Sequence, residues 1–221
     1  MSTVTRRKFL GAAAGSTMLA VIQPSALFAN QANANLLPSP STGDGRSLMS
    51  ALKNRKSTRS FSSQPLPQQM LSDLLWAAFG VNRPDSGYRT APSPMNTQEI
   101  EIYLTTASGL YLYDASFHQL VQLTTEDIRS LCGKQRFVAN APLNLIYVAD
   151  FSKLGDREDN KKLFYAAADT GFISQNVYLF CAAFGLGTVV RDWIDRPVLA
   201  EKIQLRKEQR IILAQTVGYP K

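Results

Sequence analysis

Histidine and cysteine are scarce in this 221-residue chain, with one histidine, His118, and two cysteines, Cys132 and Cys181. A cysteine metal centre therefore lacks its ligands, and the lone His118 cannot supply them, so no metal site is expected. His118 reads as a turn or strand residue rather than an acid–base catalyst. One disulfide is permitted by the count, but Cys181 lies in an apolar helical run and reads as a small packed hydrophobe. Long basic runs are also missing. The formal charge is +7, but Arg6, Arg7 and Lys8 sit together near the N-terminus, and without those three the excess is +4. The remaining cations are interleaved with acids, which argues against nucleic-acid binding. No stretch reads as a spanning helix, and the longest apolar helical pattern is interrupted by Asp169, Gln175 and Asn176.

What is present begins with the leader. TRRKFLGAAAGSTMLAVI pairs arginines with a short Ala/Gly-rich apolar stretch, and Ala32-Asn33-Ala34 follows as a cleavage-type site. Charged n-region, short h-region and A-x-A together form a secretory signal over 1–34. Arg6-Arg7 with Phe9-Leu10 is similar to the twin-arginine signal, which a receptor of the export machinery reads, so an exported, periplasmic location is expected. No Cys precedes residue 132, which argues against a lipidated anchor. Residues 35–45, NLLPSPSTGDG, read as a mobile Pro/Ser/Gly linker before a domain over 46–221.

Within that domain, at 45% hydrophobic content, the chain has enough apolar surface for a core. A helix is expected from Ser47 to Asn54 and another from Pro67 to Gly80. EIEIYLTT alternates as a strand, GLYLYD and HQLVQLT read as a meander, and TTEDIRSLC reads as a short helix. LNLIYVAD is nearly continuously apolar, as a central strand would be. REDNKKLFYAAADTGFISQNVYLFCAAFG is the longest helical stretch, apolar on nearly every face of its second half and so expected to be a buried spine. GTVV, PVLAEKIQL and RIILAQTVGYP follow as strand, helix and strand. The mixture reads as α+β.

Three segments carry chemistry. NRKSTRSF places Arg55, Lys56 and Arg59 around the hydroxyls of Ser57 and Thr58. It reads equally as a solvated basic turn or as a phosphate cradle, since guanidinium groups give bidentate, charge-assisted bonds to phosphate oxygens. APSPMNTQ offers an amide, Asn96, that can bond a heterocycle presenting both donor and acceptor, or can cap a Pro-rich turn. In GLGT, glycines allow backbone to approach a planar ligand, though a helix C-cap needs one glycine as well.

The order of these motifs resembles the nitroreductase family of FMN-dependent oxidoreductases. R-K-S-T-R-S-F, P-S-P-M-N-T-Q, D-T-G-F-I-S-Q-N-V-Y-L, G-L-G-T and V-G-Y-P appear in family order across residues 47–221. Y-R-T-A-P-S, G-L-Y-L-Y-D and G-F-I-S-Q-N look most like the branch that includes the dehydrogenases of azole-forming peptide synthetases. The resemblance implies an α+β homodimer, with a mainly antiparallel sheet, a buried central helix and flavins at the subunit interface. It implies that Arg55, Lys56, Ser57 and Arg59 hold the FMN phosphate and ribityl chain. Pro92, Ser93, Met95 and Asn96 would line the isoalloxazine, and Gly185, Leu186 and Gly187 would approach it from the other side. The family's basic phosphate contact after Gly-Tyr-Pro has one counterpart here, Lys221. Hydride from a donor such as NADH or NADPH would pass through flavin N5 to a small organic acceptor. No side chain stands out as an acid–base catalyst, and none is assigned. A flavin dehydrogenase of a peptide or metabolite, and a non-catalytic flavin-binding protein, are the alternatives.

Overall fold

A computed structural model of the chain describes residues 34–42 and 47–221. The leader over 1–33 lies outside the described residues, as do residues 43–46. The alternating and apolar runs pair into one seven-stranded sheet in the order β1-β6-β5-β4-β7-β9-β8, antiparallel at every junction. These strands are β1 (Ala34–Leu36), β4 (Ile100–Thr106), β5 (Gly109–Asp114), β6 (Gln119–Thr124), β7 (Leu143–Asp150), β8 (Gly187–Arg191) and β9 (Gln209–Gly218). A two-stranded ribbon, β2 (Val81–Arg83) with β3 (Tyr88–Arg89), folds the long polar loop.

β7 shows why its sequence is nearly all apolar, with Asn144 buried and hydrogen-bonded. Leu143, Leu145, Tyr147 and Ala149 face a core that also holds Ile100, Ile102 and Leu104 of β4. Ile146 and Val148 face a second core with Val138, Leu199 and Ile211. With alternate side chains pointing to opposite faces and both faces covered, no position is left for a polar residue to reach water. The first face is covered by α2 (Gln68–Phe79) and α4 (Asp159–Phe184), which supply Leu74, Leu75, Ile173 and Val177. The second is covered by α3 (Arg136–Asn140) and α5 (Arg196–Lys202). α4 has 26 residues, about 39 Å at 1.5 Å per residue; it is the long helix that the sequence pattern calls for, but it is buried on one side only, with Leu163, Phe164 and Phe172 exposed. α1 (Leu48–Asn54), capped by the Ser47 hydroxyl accepting from Ser50 N–H (3.2 Å), packs on it.

Two expectations are corrected. The described part of the 35–45 segment is a docked strap. β1 pairs with β6, Leu37 N–H donates to the His118 carbonyl (3.1 Å), and Asp73 accepts from Ser41 N–H (2.8 Å). Ser72 donates to the Pro38 carbonyl, and its hydroxyl lies 2.7 Å from His118 Nε2, whose ring also meets the Tyr113 hydroxyl (2.9 Å). Anchors of this kind outweigh a linker-like composition. TTEDIRSLC forms only a 3-10 turn over Arg129–Cys132, because Arg129 turns back to bond Asp127 and the Ala141 carbonyl. Cys132 and Cys181 are buried and unpaired. Among the described residues no helix is long and apolar enough to cross a membrane.

Candidate functional site

The NRKSTRSF segment is neither a free turn nor part of α1. It runs beside the sheet edge, where Ser57 bridges Thr188 of β8 in parallel and Thr58 N–H donates to the Thr188 carbonyl (2.9 Å). The chain end closes over it. Ser62 N–H donates to the Tyr219 carbonyl (2.9 Å), and Lys221 N–H donates to the Ser60 carbonyl (3.2 Å). This pairing sets the Lys221 backbone beside Ser60.

Tyr178 on α4 organises the centre. Its hydroxyl accepts from Val190 N–H (3.0 Å) and lies 2.9 Å from Ser57 Oγ, while the Arg55 guanidinium sits 5.3 Å above its ring. With its acceptor role filled by the backbone, the phenol proton is free to fix the Ser57 hydroxyl. The stacked ring holds Arg55 without neutralising its charge. A cavity of about 240 Å³ opens here, lined by Lys56, Thr58, Tyr178, Cys181, Gly185 and Leu186 with others. Among the described residues, none of Arg55, Lys56, Arg59 and Lys221 is in an ion pair. Lys56 at the cavity wall and Arg55 over the Tyr178 ring, both outside any ion pair among the described residues and beside the Ser57 hydroxyl, form an anion site in chemical terms.

The glycines divide by role. Gly185 is the left-handed cap of α4 (φ +74°), with Leu186 N–H donating to the Cys181 carbonyl (2.9 Å). Gly187 does make a close approach, but to the protein: a Cβ there would stand 2.8 Å from Thr58 Cγ2. Its missing side chain makes room for the segment that carries Thr58. β8 is held by Arg191, whose buried guanidinium donates to Thr216 Oγ1 (3.0 Å), the Cys132 carbonyl (2.7 Å) and Asn144 Oδ1 (3.0 Å). Burial without a carboxylate lowers its pKa to about 10.

Pro92, Ser93, Met95 and Asn96 lie elsewhere in the chain. Their loop is a 3-10 turn in which Met95 (φ 53°), Asn96 (φ 56°) and, just beyond, Gln98 (φ 47°) all take left-handed conformations. Each costs of order 1–3 kcal/mol, and such clusters mark ligand clamps and active sites. Gln98 N–H donates to Ser93 Oγ (3.0 Å), and the Gln98 amide donates to Asn96 Oδ1 (3.0 Å), which fixes the orientation of the Asn96 side chain. Met95 Sδ lies 3.3 Å from Arg157, whose guanidinium sits 5.9 Å from the Tyr165 ring. Tyr165 and Tyr178 are about 20 Å apart along α4. The loop thus meets the region of the helix near Tyr165 through Arg157, while the residue two before Pro92, Thr90, accepts from Asn176 through its carbonyl (3.5 Å). Tyr178 was quoted within a motif but given no role by sequence. Its signal was a polar tip on an otherwise apolar helical turn.

Residues 52–219 match the family model described as Nitroreductase family. A crystal structure of a candidate nitroreductase from Ralstonia eutropha JMP134 superimposes with a TM-score of 0.82 at 43% identity, covering 86% of this chain and 90% of that one. The candidate nitroreductase MJ1384 of Methanocaldococcus jannaschii is 33% identical over 152 residues, 64% of this chain and 76% of its own. The NADPH:FMN oxidoreductase of Vibrio harveyi, solved with NAD+, shares the fold at a TM-score of 0.59 and 16% identity, over 79% of this chain and 69% of that one. With its motifs in order, its antiparallel α+β architecture and a family match over most of its length, the chain belongs to the nitroreductase family.

Proposed function

We propose that the chain is an exported FMN-dependent oxidoreductase of the nitroreductase type, working as a homodimer on a small organic acceptor. The observation that carries this reading is Lys56 at the wall of the Tyr178 cavity, with Arg55 over the Tyr178 ring, Ser57 bonded to its hydroxyl, and neither cation in an ion pair among the described residues. The donor set fits a phosphate monoester: planar guanidinium forks, ammonium groups and a hydroxyl. At about 240 Å³ the cavity is smaller than pockets that enclose a whole drug-sized ligand, roughly 300–1,000 Å³, so it suits a phosphate and part of a ribityl chain. Walls for the ring would come from a second copy, whose 92–98 loop is the other half of the site. Exposed apolar side chains on the two packed helices, Leu48 and Met49 of α1 and Phe172 of α4, are the surface such a dimer would cover.

FMN, when bound, supplies hydride transfer through N5, with NADH or NADPH as donor in the manner that the Vibrio harveyi protein's name states. The chain's own residues then bind and orient. The cradle would hold the phosphate, Ser57 and Tyr178 would fix the entry to it, and Asn96 would offer its amide to the ring. No side chain is assigned a proton-transfer role. The twin-arginine leader is part of this reading, since that route carries folded proteins with cofactor in place.

The experiment is an absorbance spectrum of the purified protein with sedimentation of the same sample. A flavin spectrum on a dimer, bleached by NADH or NADPH, is the expected result. Flavin that no donor bleaches would favour a binding protein, and flavin on a clean monomer would remove the shared site.

A further inference from the structure

Two carboxyl groups meet in the interior where the 92–98 loop enters β4. Glu99 is fully buried and Asp169, midway along α4, is 3% exposed. Glu99 Oε2 accepts from the Thr97 hydroxyl (2.9 Å), which also lies 3.0 Å from the Pro94 carbonyl. The Asp169 carboxyl faces that of Glu99 within hydrogen-bonding reach. Glu99 Oε1 and Asp169 Oδ2 have no other partner among the described residues, and neither has the buried Thr170 hydroxyl next in sequence to Asp169. Two ionised carboxylates cannot share a dry site, so one proton must lie between them.

No cation takes the proton's place. Glu101, further along β4, is engaged by Lys153 (3.3 Å) and by the Gln209 amide (2.6 Å). Asp150 of β7 holds Arg206 (2.6 Å), Arg157 reaches Met95 and the Leu154 carbonyl, and Arg89 lies over the Phe79 ring. Burial first, and the facing Glu99 carboxyl second, push Asp169 up to about 8.

We infer that the proton shared by Glu99 and Asp169 pins the 92–98 loop to α4, making the two acids positioning residues for Ser93, Met95 and Asn96. The link runs through Thr97, whose hydroxyl ties Glu99 to the strained turn, and through Asp150 N–H, which donates to the Glu99 carbonyl (2.9 Å). Above about pH 8 Asp169 ionises, the bridge is lost, and the loop is released from the helix. The consequence for flavin rests on the proposed function; the pin itself does not.

The test has two arms on the full chain. In the apo protein, folded Asp169 holds its proton well above the unfolded carboxyl range near 3.9, so the folded state binds the extra proton between about pH 4 and 8. Thermal stability should therefore fall as pH rises through that window and level off above it. Glu99→Gln donates an amide hydrogen to Asp169 at any pH, and Asp169→Asn does the same toward Glu99. Both should flatten the fall, and a second variant is at hand if one does not fold. Profiles parallel to wild type in the folded variant or variants overturn the shared proton. In the second arm, FMN affinity of wild type should weaken about tenfold between pH 7 and 9, as for a binding-competent form that loses one proton near 8, and stay level in Glu99→Gln. Flattened stability profiles with unchanged FMN pH dependence overturn the positioning role. A wild type that binds no FMN at any pH refutes the flavin reading, and the apo profiles then still decide the pin.

Discussion

Removing the two guanidinium groups of the cradle should abolish the protein's preference for FMN over riboflavin. Arg55 is half-buried above the Tyr178 ring, so its charge is held in place before a phosphate arrives, and little side-chain freedom is lost on binding. A charge-assisted hydrogen bond is worth about 1.5–3 kcal/mol, and Arg55 sits toward the upper end of that range. Arg59 is exposed, so water screens it and it belongs at the lower end. Arg55→Ala/Arg59→Ala should then weaken FMN by about 3–5 kcal/mol, a factor of roughly 10² to 10⁴ in Kd. Riboflavin lacks the phosphate and should lose far less. Ser57→Ala removes one neutral donor and should cost about 0.5–1.5 kcal/mol. Quenching of flavin fluorescence on titration with apo-protein measures each affinity. An FMN-to-riboflavin ratio unchanged in the double variant would refute the cradle, even if both affinities dropped, because a general loss of fold lowers the two together.

Two other measurements address the segments that precede the domain. Chains beginning at residue 33 and at residue 43 should differ in stability by roughly 2–4 kcal/mol, since the shorter one loses Leu37 packing and several net hydrogen bonds at about 1 kcal/mol each. For a domain of this size that is a melting difference of roughly 5–15 °C, and equal midpoints would show the strap to be incidental. Residues 1–40 fused to a reporter that must fold before export should carry it out of the cytoplasm, and Arg6→Lys/Arg7→Lys should retain it; normal export of the lysine variant would assign the leader to the unfolded-chain route.

How much of this was legible in sequence depends on whether the determinant is local. The cores of β7 and α4 were readable because periodicity reports burial directly, and a strand covered on both faces has no freedom to be polar. The strap was not readable. Its composition is that of a linker, and what holds it are hydrogen bonds from Ser72, Gln69 and Asp73, some 30 residues away on α2. No local pattern encodes such anchors. The same distinction governs the site. Arg55, Lys56, Ser57 and Arg59 fall within one short stretch, so their chemistry could be read as a unit. The role of Tyr178 depends on a hydrogen bond across 121 positions, and the meeting of Glu99 with Asp169 places like charges together, which no pairing rule would suggest.

The separation of the two motif groups along α4 also bears on why this fold would need a second copy. A site built within one chain could place its phosphate cradle and its ring-lining loop on neighbouring elements. Here the strained 92–98 loop is fixed to the first half of the helix through Arg157 and Asp169, and the cradle to its last turns through Tyr178. Both attachments are made to packed parts of the fold, so neither group moves freely toward the other. In the proposed homodimer a two-fold axis would set one chain's loop against the other's cradle and make two equivalent sites. Ligand binding and association are then a single equilibrium. Flavin that touches both chains stabilises the dimer by mass action, and any perturbation of the loop, including loss of the Glu99–Asp169 proton, should weaken assembly as well as binding.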